Sequence, residues 1–122
     1  MDKAQAVVSF WERVSGLTVY DENSVPDGAT IPYMTCEVAT GSFEREIPLT
    51  ANLYYRGTSW LAISQKAEAI SREIRRSGTI KIDGGRFRVW EGDTPLCQRM
   101  ADTDSAVKRI VINVMVEFMT DY

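Results

Sequence analysis

The stretch "AVKRIVINVMVEFM", residues 106–119, alternates along its length. Ile110, Ile112, Val114, Val116 and Phe118 share one face, and Arg109, Val111, Asn113, Met115 and Glu117 share the other. A period of two specifies a β-strand with one side in a core. The second side is neither fully polar nor fully apolar, the character of a surface that is sometimes covered. Length adds a constraint. Thirteen strand residues at ~3.3 Å each span about 43 Å, whereas a compact domain of this size is roughly 35 Å across. The strand therefore either bends within the domain or projects and pairs with something else.

Working outward, residues 45–56 show the same alternation. Ile47, Leu49, Ala51, Leu53 and Tyr55 point one way, and Glu46, Thr50, Asn52, Tyr54 and Arg56 the other. Pro48 has no N–H for a ladder bond, so this strand is expected to begin at an edge or a bulge. Residues 31–40 read as another long strand, joined to it through "TGSFE" with Gly41 as a hairpin connection. "LTVY", 17–20, reads as a short strand. "TIKIDGGRFRVWEG" reads as a hairpin turning at Asp83-Gly84-Gly85, and "GDTP", 92–95, as a further turn.

Two segments carry helical spacing instead. Over residues 2–15, Ala4, Val7, Val8, Trp11 and Val14 form an apolar stripe, with Asp2 at the positive end of the dipole and Gly16 as the stop. Over 59–77 the stripe is Trp60, Ile63, Ala67, Ile70 and Ile74. Thr58 or Ser59 is placed to cap its start, Arg72, Arg75 and Arg76 suit its negative end, and Gly78 follows as the C-cap glycine. The order is α-β-β-β-α-β-β-β over a single domain, residues 1–122. This predicts an α+β fold with a mostly antiparallel β-sheet packed against two amphipathic helices.

The chain of 122 residues is long enough to bury a core without covalent staples. Its net charge of −3 argues against a strong non-specific nucleic-acid binder. Cys36 and Cys97 lack paired spacing and read as free thiols of a reducing compartment. No apolar run reaches the ~18 residues of a membrane span, and "MDKAQAVVSFWERV" lacks a signal-peptide pattern. The expectation is a chain made in a cytoplasm, with no membrane partner.

Chemistry is hard to find. There is no histidine, which removes Ser-His and Cys-His pairs and nearly all zinc sites. No phosphate-loop or dinucleotide motif occurs, and Gly84-Gly85 sits in a hairpin instead of between strand and helix. Asp21, Glu22 and Asp27 cluster in one loop, and "DTD" at 102–104 brings two carboxylates together as a cation site would. Turn formation explains the loop carboxylates, and those near residue 102 can equally lead into a strand. Arg86 and Arg88 beside Phe87 and Trp90 are a weak version of a base-stacking surface. No catalytic residue, metal or cofactor is expected.

A resemblance supplies what the motifs do not. After the first helix come "VYDENSVPDGATIPYMTCEVATG" (19–41), a strand ending "LTANLYYRGTSW" (49–60), and the helix "AISQKAEAISREI" (62–74). Together they resemble the tail-terminator and tail-completion (neck) proteins of long, non-contractile-tailed bacteriophages and prophages. The similarity runs over about residues 5–119 and rests on patterns of loop, strand and helix. It implies a structural virion protein, assembled in the bacterial cytoplasm, that forms a ring, typically a hexamer, on the last ring of the tail tube. Its implied partners are itself, the tail tube protein and the head-tail connector, with DNA crossing the lumen without sequence-specific binding. Two alternatives stand beside it. One is a head-completion or connector subunit of the same neck, and the other a small ligand-binding domain.

A ring needs heterologous contacts, in which one patch meets a different patch of the next subunit. The turn-rich loop of residues 21–30 and the edges of strands 31–40 and 107–119 are the expected surfaces, since an unpaired edge extends a sheet across a boundary. The residues expected at that interface are Asp21, Glu22, Asn23, Val25, Pro26 and Asp27, with Arg109, Val111, Asn113, Met115 and Glu117 of the last strand.

Overall fold

A computed structural model describes residues 1–38, 46–92 and 95–122. Its elements are α1 (Lys3–Ser15), β1 (Val19–Asp21), β2 (Tyr33–Cys36), β3 (Glu46–Arg56), α2 (Leu61–Arg76), β4 (Thr79–Ile82), β5 (Gly85–Trp90), β6 (Cys97–Met100) and β7 (Val107–Thr120). This is the expected α+β fold with the expected order, plus the short strand β6. The hairpin connection expected at "TGSFE", and the centre of the turn expected at 92–95, lie outside the described residues.

The strands form one sheet in the order β1-β2-β3-β7-β5-β4, with β6 also on β7. All pairs are antiparallel except β1–β2, which is parallel. The long strand β7 resolves the length question. It pairs with β3 from Val107 to Glu117 on one side. On the other it pairs with β6 from Arg109 to Ile112 and with β5 from Met115 to Thr120. It bends within the curled sheet and does not project from it. The ladder with β5 ends at Trp90↔Met115 and that with β6 at Cys97↔Ile112, so Asn113 and Val114 lie between the two partners.

Both helices cover one face. Ile47, Leu49, Ala51 and Leu53 of β3, Ile110 to Val116 of β7 at alternate positions, and Phe87 and Val89 of β5 are buried beneath Val7, Phe10, Trp11, Ile63, Ile70 and Ile74. Phe10 meets Trp11 edge-on at 5.3 Å and Phe87 at 6.3 Å, and Phe87 stacks on Phe118 at 5.7 Å. That aromatic chain turns the stripe of α1: Ala6 and Phe10 are buried, whereas Ala4 is exposed and Val8 only half-buried.

Local chemistry explains the ends of the elements. Asp2 and Gln5 form a reciprocal capping box at the start of α1, and Gly16 closes it with φ of 68°. The start of α2 differs from expectation. Its N-cap is Trp60, without a side-chain cap, and the Ser59 hydroxyl accepts a bond from the Leu61 N–H. Its C-cap is Ser77, and Gly78 follows in the left-handed region. The three arginines near the end of α2 pair with Glu68, Glu91 and Glu73, as a solvated helix end does. Thr50 turns its N–H toward Glu37. Pro48, two residues earlier, therefore turns its nitrogen to the side where the pairing with β2 has ended at Cys36↔Ala51. What stands beyond that point opposite Pro48 lies outside the described residues.

Gly85 faces a harder limit. Its φ is 156°, and a Cβ would overlap the Met119 carbonyl oxygen across the β5–β7 ladder. Gly85→Ala is expected to destabilise the fold by about 2–3 kcal/mol, since only the backbone could yield. Gly57→Ala, with open space around it, is expected to change the urea midpoint little.

Candidate assembly surfaces

The expected interface residues fall into two groups that the fold keeps apart. The first is the loop after β1. Asp21 ends β1, and its carboxylate accepts the Asn23 N–H at 3.0 Å. The Ser24 N–H closes on the Asp21 carbonyl, and the Ala29 N–H on that of Pro26. Gly28 takes φ of 81°, the positive value that this turn demands. These local bonds tie the loop to itself. Glu22, Asn23, Pro26 and Asp27 are exposed, while Asp21 and Val25 are half-buried.

The second group lies on the face of the sheet that neither helix covers. Arg109, Val111, Asn113 and Met115 are half-buried there. Glu117 is buried, and Arg88 approaches it at 3.6 Å. The expectation that strands 31–40 and 107–119 offer unpaired edges is corrected. β7 is paired on both sides, and β2 is a four-residue strand flanked by β1 and β3. Both are interior strands because segments before and between them fold back to pair with them, which local alternation does not reveal. Only their side chains on the helix-free face remain available.

Intramolecular contacts account for part of that face. Asn113 donates from its side chain to the Pro95 carbonyl and to Gln98 Oε1, and its N–H reaches the Leu96 carbonyl. It thus ties Pro95, Leu96 and Gln98 to β7. Met115 packs against Gly92. Farther along, Tyr20, Tyr33 and Tyr54 form an aromatic row across β1, β2 and β3, with centroids 5.6 and 5.2 Å apart. Burial, with Tyr54, Asp102 and Tyr20 nearby, raises the Tyr33 phenol above its ordinary pKa. Next in that row comes Arg109, opposite Tyr54, whose Nε is buried without a hydrogen-bond partner. The sequence pattern places Tyr54 on one strand face but does not bring Tyr20 and Tyr33 beside it. The signal that would have joined them is the β1–β2 register, which local pattern does not encode.

Other features have structural explanations. Asp102 accepts the Asp104 N–H, and Asp104 accepts the Ala106 N–H and approaches Arg56 at 3.5 Å. The "DTD" carboxylates thus shape the turn into β7. Among the described residues, no three metal-ligating side chains converge, and no helix is long and apolar enough to cross a membrane. Phe87 is fully buried and out of reach of a base, while Arg88 lies 4.4 Å over Trp90. A groove of about 570 Å³ along α1 is lined by Ala4, Gln5, Val8, Ser9, Glu12 and Asp21, among others. Its charged side chains among the described residues are the carboxylates of Glu12 and Asp21, and Met1, with the N-terminal ammonium, also lines it.

Cys36 and Cys97 are free thiols. Burial, helped by Asp21, Glu22 and Glu12, pushes the Cys36 thiol up to about 12. An unfolded thiol titrates near about 8.5, so the unfolded chain loses this proton first. The stabilisation is complete below that value and is lost as pH rises toward the folded pKa. Thermal melts of Cys36→Ala are expected to fall less steeply than those of the native chain over about pH 9 to 11.

No protein-family model matches the chain, and no curated protein is similar to it.

Proposed function

We propose that this chain is a structural virion protein that forms a ring, expected as a hexamer, at the head-proximal end of a phage tail tube. There it stops tube growth and offers the surface to which the head docks. The resemblance of residues 5–119 to tail terminators motivates the reading. The observation that carries it is the helix-free face of the sheet. Tyr20, Tyr33, Tyr54, Val111, Met115 and Trp90 lie half-buried on it, and the Arg109 Nε is unmatched there. Such a face is suited to contacts with further subunits, because partly buried aromatic residues and arginine lose their remaining water at modest entropic cost. On this reading the partners are further copies, the tail tube protein and the head-tail connector. DNA crosses the lumen without sequence-specific binding.

The loop gives a direct test. The bonds of residues 23–28 go to their neighbours Asp21 and Ala29, and most of these residues are exposed. Deleting them is expected to shift the unfolding free energy by no more than about 1 kcal/mol. The same deletion is expected to yield particles with overlong or headless tails. A folded deletion variant that supports normal tails overturns the role given to this loop.

A further inference from the structure

The two ends of the sheet differ in charge. From residue 14 to residue 38 the sequence holds Asp21, Glu22, Asp27 and Glu37 and no lysine or arginine. This segment builds β1, the loop behind it and β2, at one end of the strand order. At the opposite end, Lys81 of β4 stands directly across from Arg86 of β5, both exposed on the helix-free side. Arg86 donates to the Thr79 hydroxyl at 3.0 Å, and neither cation pairs with a carboxylate among the described residues. Like charges opposite each other in an antiparallel ladder are destabilising, so this hairpin carries a cost that an anionic partner would relieve. The edge itself is also open. The two-residue turn makes Ile82 and Gly85 a hydrogen-bonded pair, so Thr79 and Lys81 direct their backbone groups away from β5.

We propose that the acidic end of one copy docks on the basic β4 edge of the next, with the exposed Glu22 and Asp27 set against Lys81 and Arg86. The inference rests on the ring reading and names the two surfaces that would close the ring. A heterologous contact requires two different, complementary patches on one chain. Here they lie at opposite ends of the strand order of one sheet, five strand spacings or about 24 Å along it. Complementary charge also fixes the register of such a contact and steers the encounter.

Zero-length carbodiimide coupling of the full chain, followed by peptide mass spectrometry, tests the pairing. Coupling of Lys81 to Glu22 or Asp27 is expected in the dimer band and not in the monomer band. The coupling should weaken with salt. Lys81→Glu/Arg86→Glu and Glu22→Lys/Asp27→Lys are each expected to reduce self-association at least about tenfold. An equal mixture of the two variants should restore it, because each then offers the end that the other lacks. All four positions are exposed, and unfolding midpoints verify that the variants fold. If both reversed variants associate as the native chain does, or couple through other residues, the edge pairing is wrong while the ring reading stands. Absence of self-coupling up to millimolar protein also overturns it. So does DNA binding that depends on Lys81 and Arg86 without self-coupling, which would assign the basic edge to phosphate. Tail length in particles decides the ring reading separately.

Discussion

Ile112→Asp is expected to abolish the native fold, whereas Val111→Asp, one residue earlier, leaves it intact. Ile112 has no solvent exposure and sits in the ladder between Ala51 and Cys97 beneath the helices. A carboxylate there would meet only apolar side chains. It would have to be buried unpaired or protonated, at a cost of several kcal/mol. A domain of this kind has only about 5–15 kcal/mol in total. Val111 faces the other way, between Asn52 and Gln98, and is half-buried. Its substitution should cost about 1 kcal/mol or less. Circular dichroism with urea melts reads both outcomes. On the proposed function, Val111→Asp instead lowers incorporation of the folded chain into particles. Equal loss of fold in both variants would contradict the assignment of the two faces.

Trp11→Ala should have the second largest effect on stability. Trp11 is 1% exposed and meets Phe10 edge-on within α1, and Phe10 in turn meets Phe87, which stacks on Phe118 of the sheet. Truncation of a buried tryptophan removes its transfer free energy and leaves a cavity, together about 3–5 kcal/mol. The urea midpoint is expected to fall accordingly with an unchanged slope, since the surface exposed on unfolding is nearly the same. A loss below about 1 kcal/mol would mean that α1 packs less tightly than this aromatic chain implies.

Period-two and period-3.6 patterns made β3, β7, α1 and α2 legible because one side of each is buried. The alternation of residues 47–53 and 110–116 maps onto the burial residue by residue. Local chemistry placed Asp2 at the start of α1 and Gly16 at its end, but the capping box with Gln5 was not foreseen. Three further features were not legible. β6 has four residues, mostly exposed, and so has no apolar face to announce it. The parallel pairing of β1 with β2 is a contact between segments separated by a loop, and it alone brings Tyr20 beside Tyr33. The interior position of β7 depends on what folds against it, so its residues could be placed on a face but not at an edge. The loop residues Asp21 to Asp27 were singled out for their turn chemistry, and their hydrogen bonds follow it. The opposing Lys81–Arg86 pair emerged only with the β4–β5 register.

The most direct test of the proposed function is electron microscopy of particles from a phage or prophage in which this gene is disrupted. The account predicts overlong tails of variable length, detached from filled heads. Tails of normal length beside heads that leak DNA, or normal infectious particles, would contradict it.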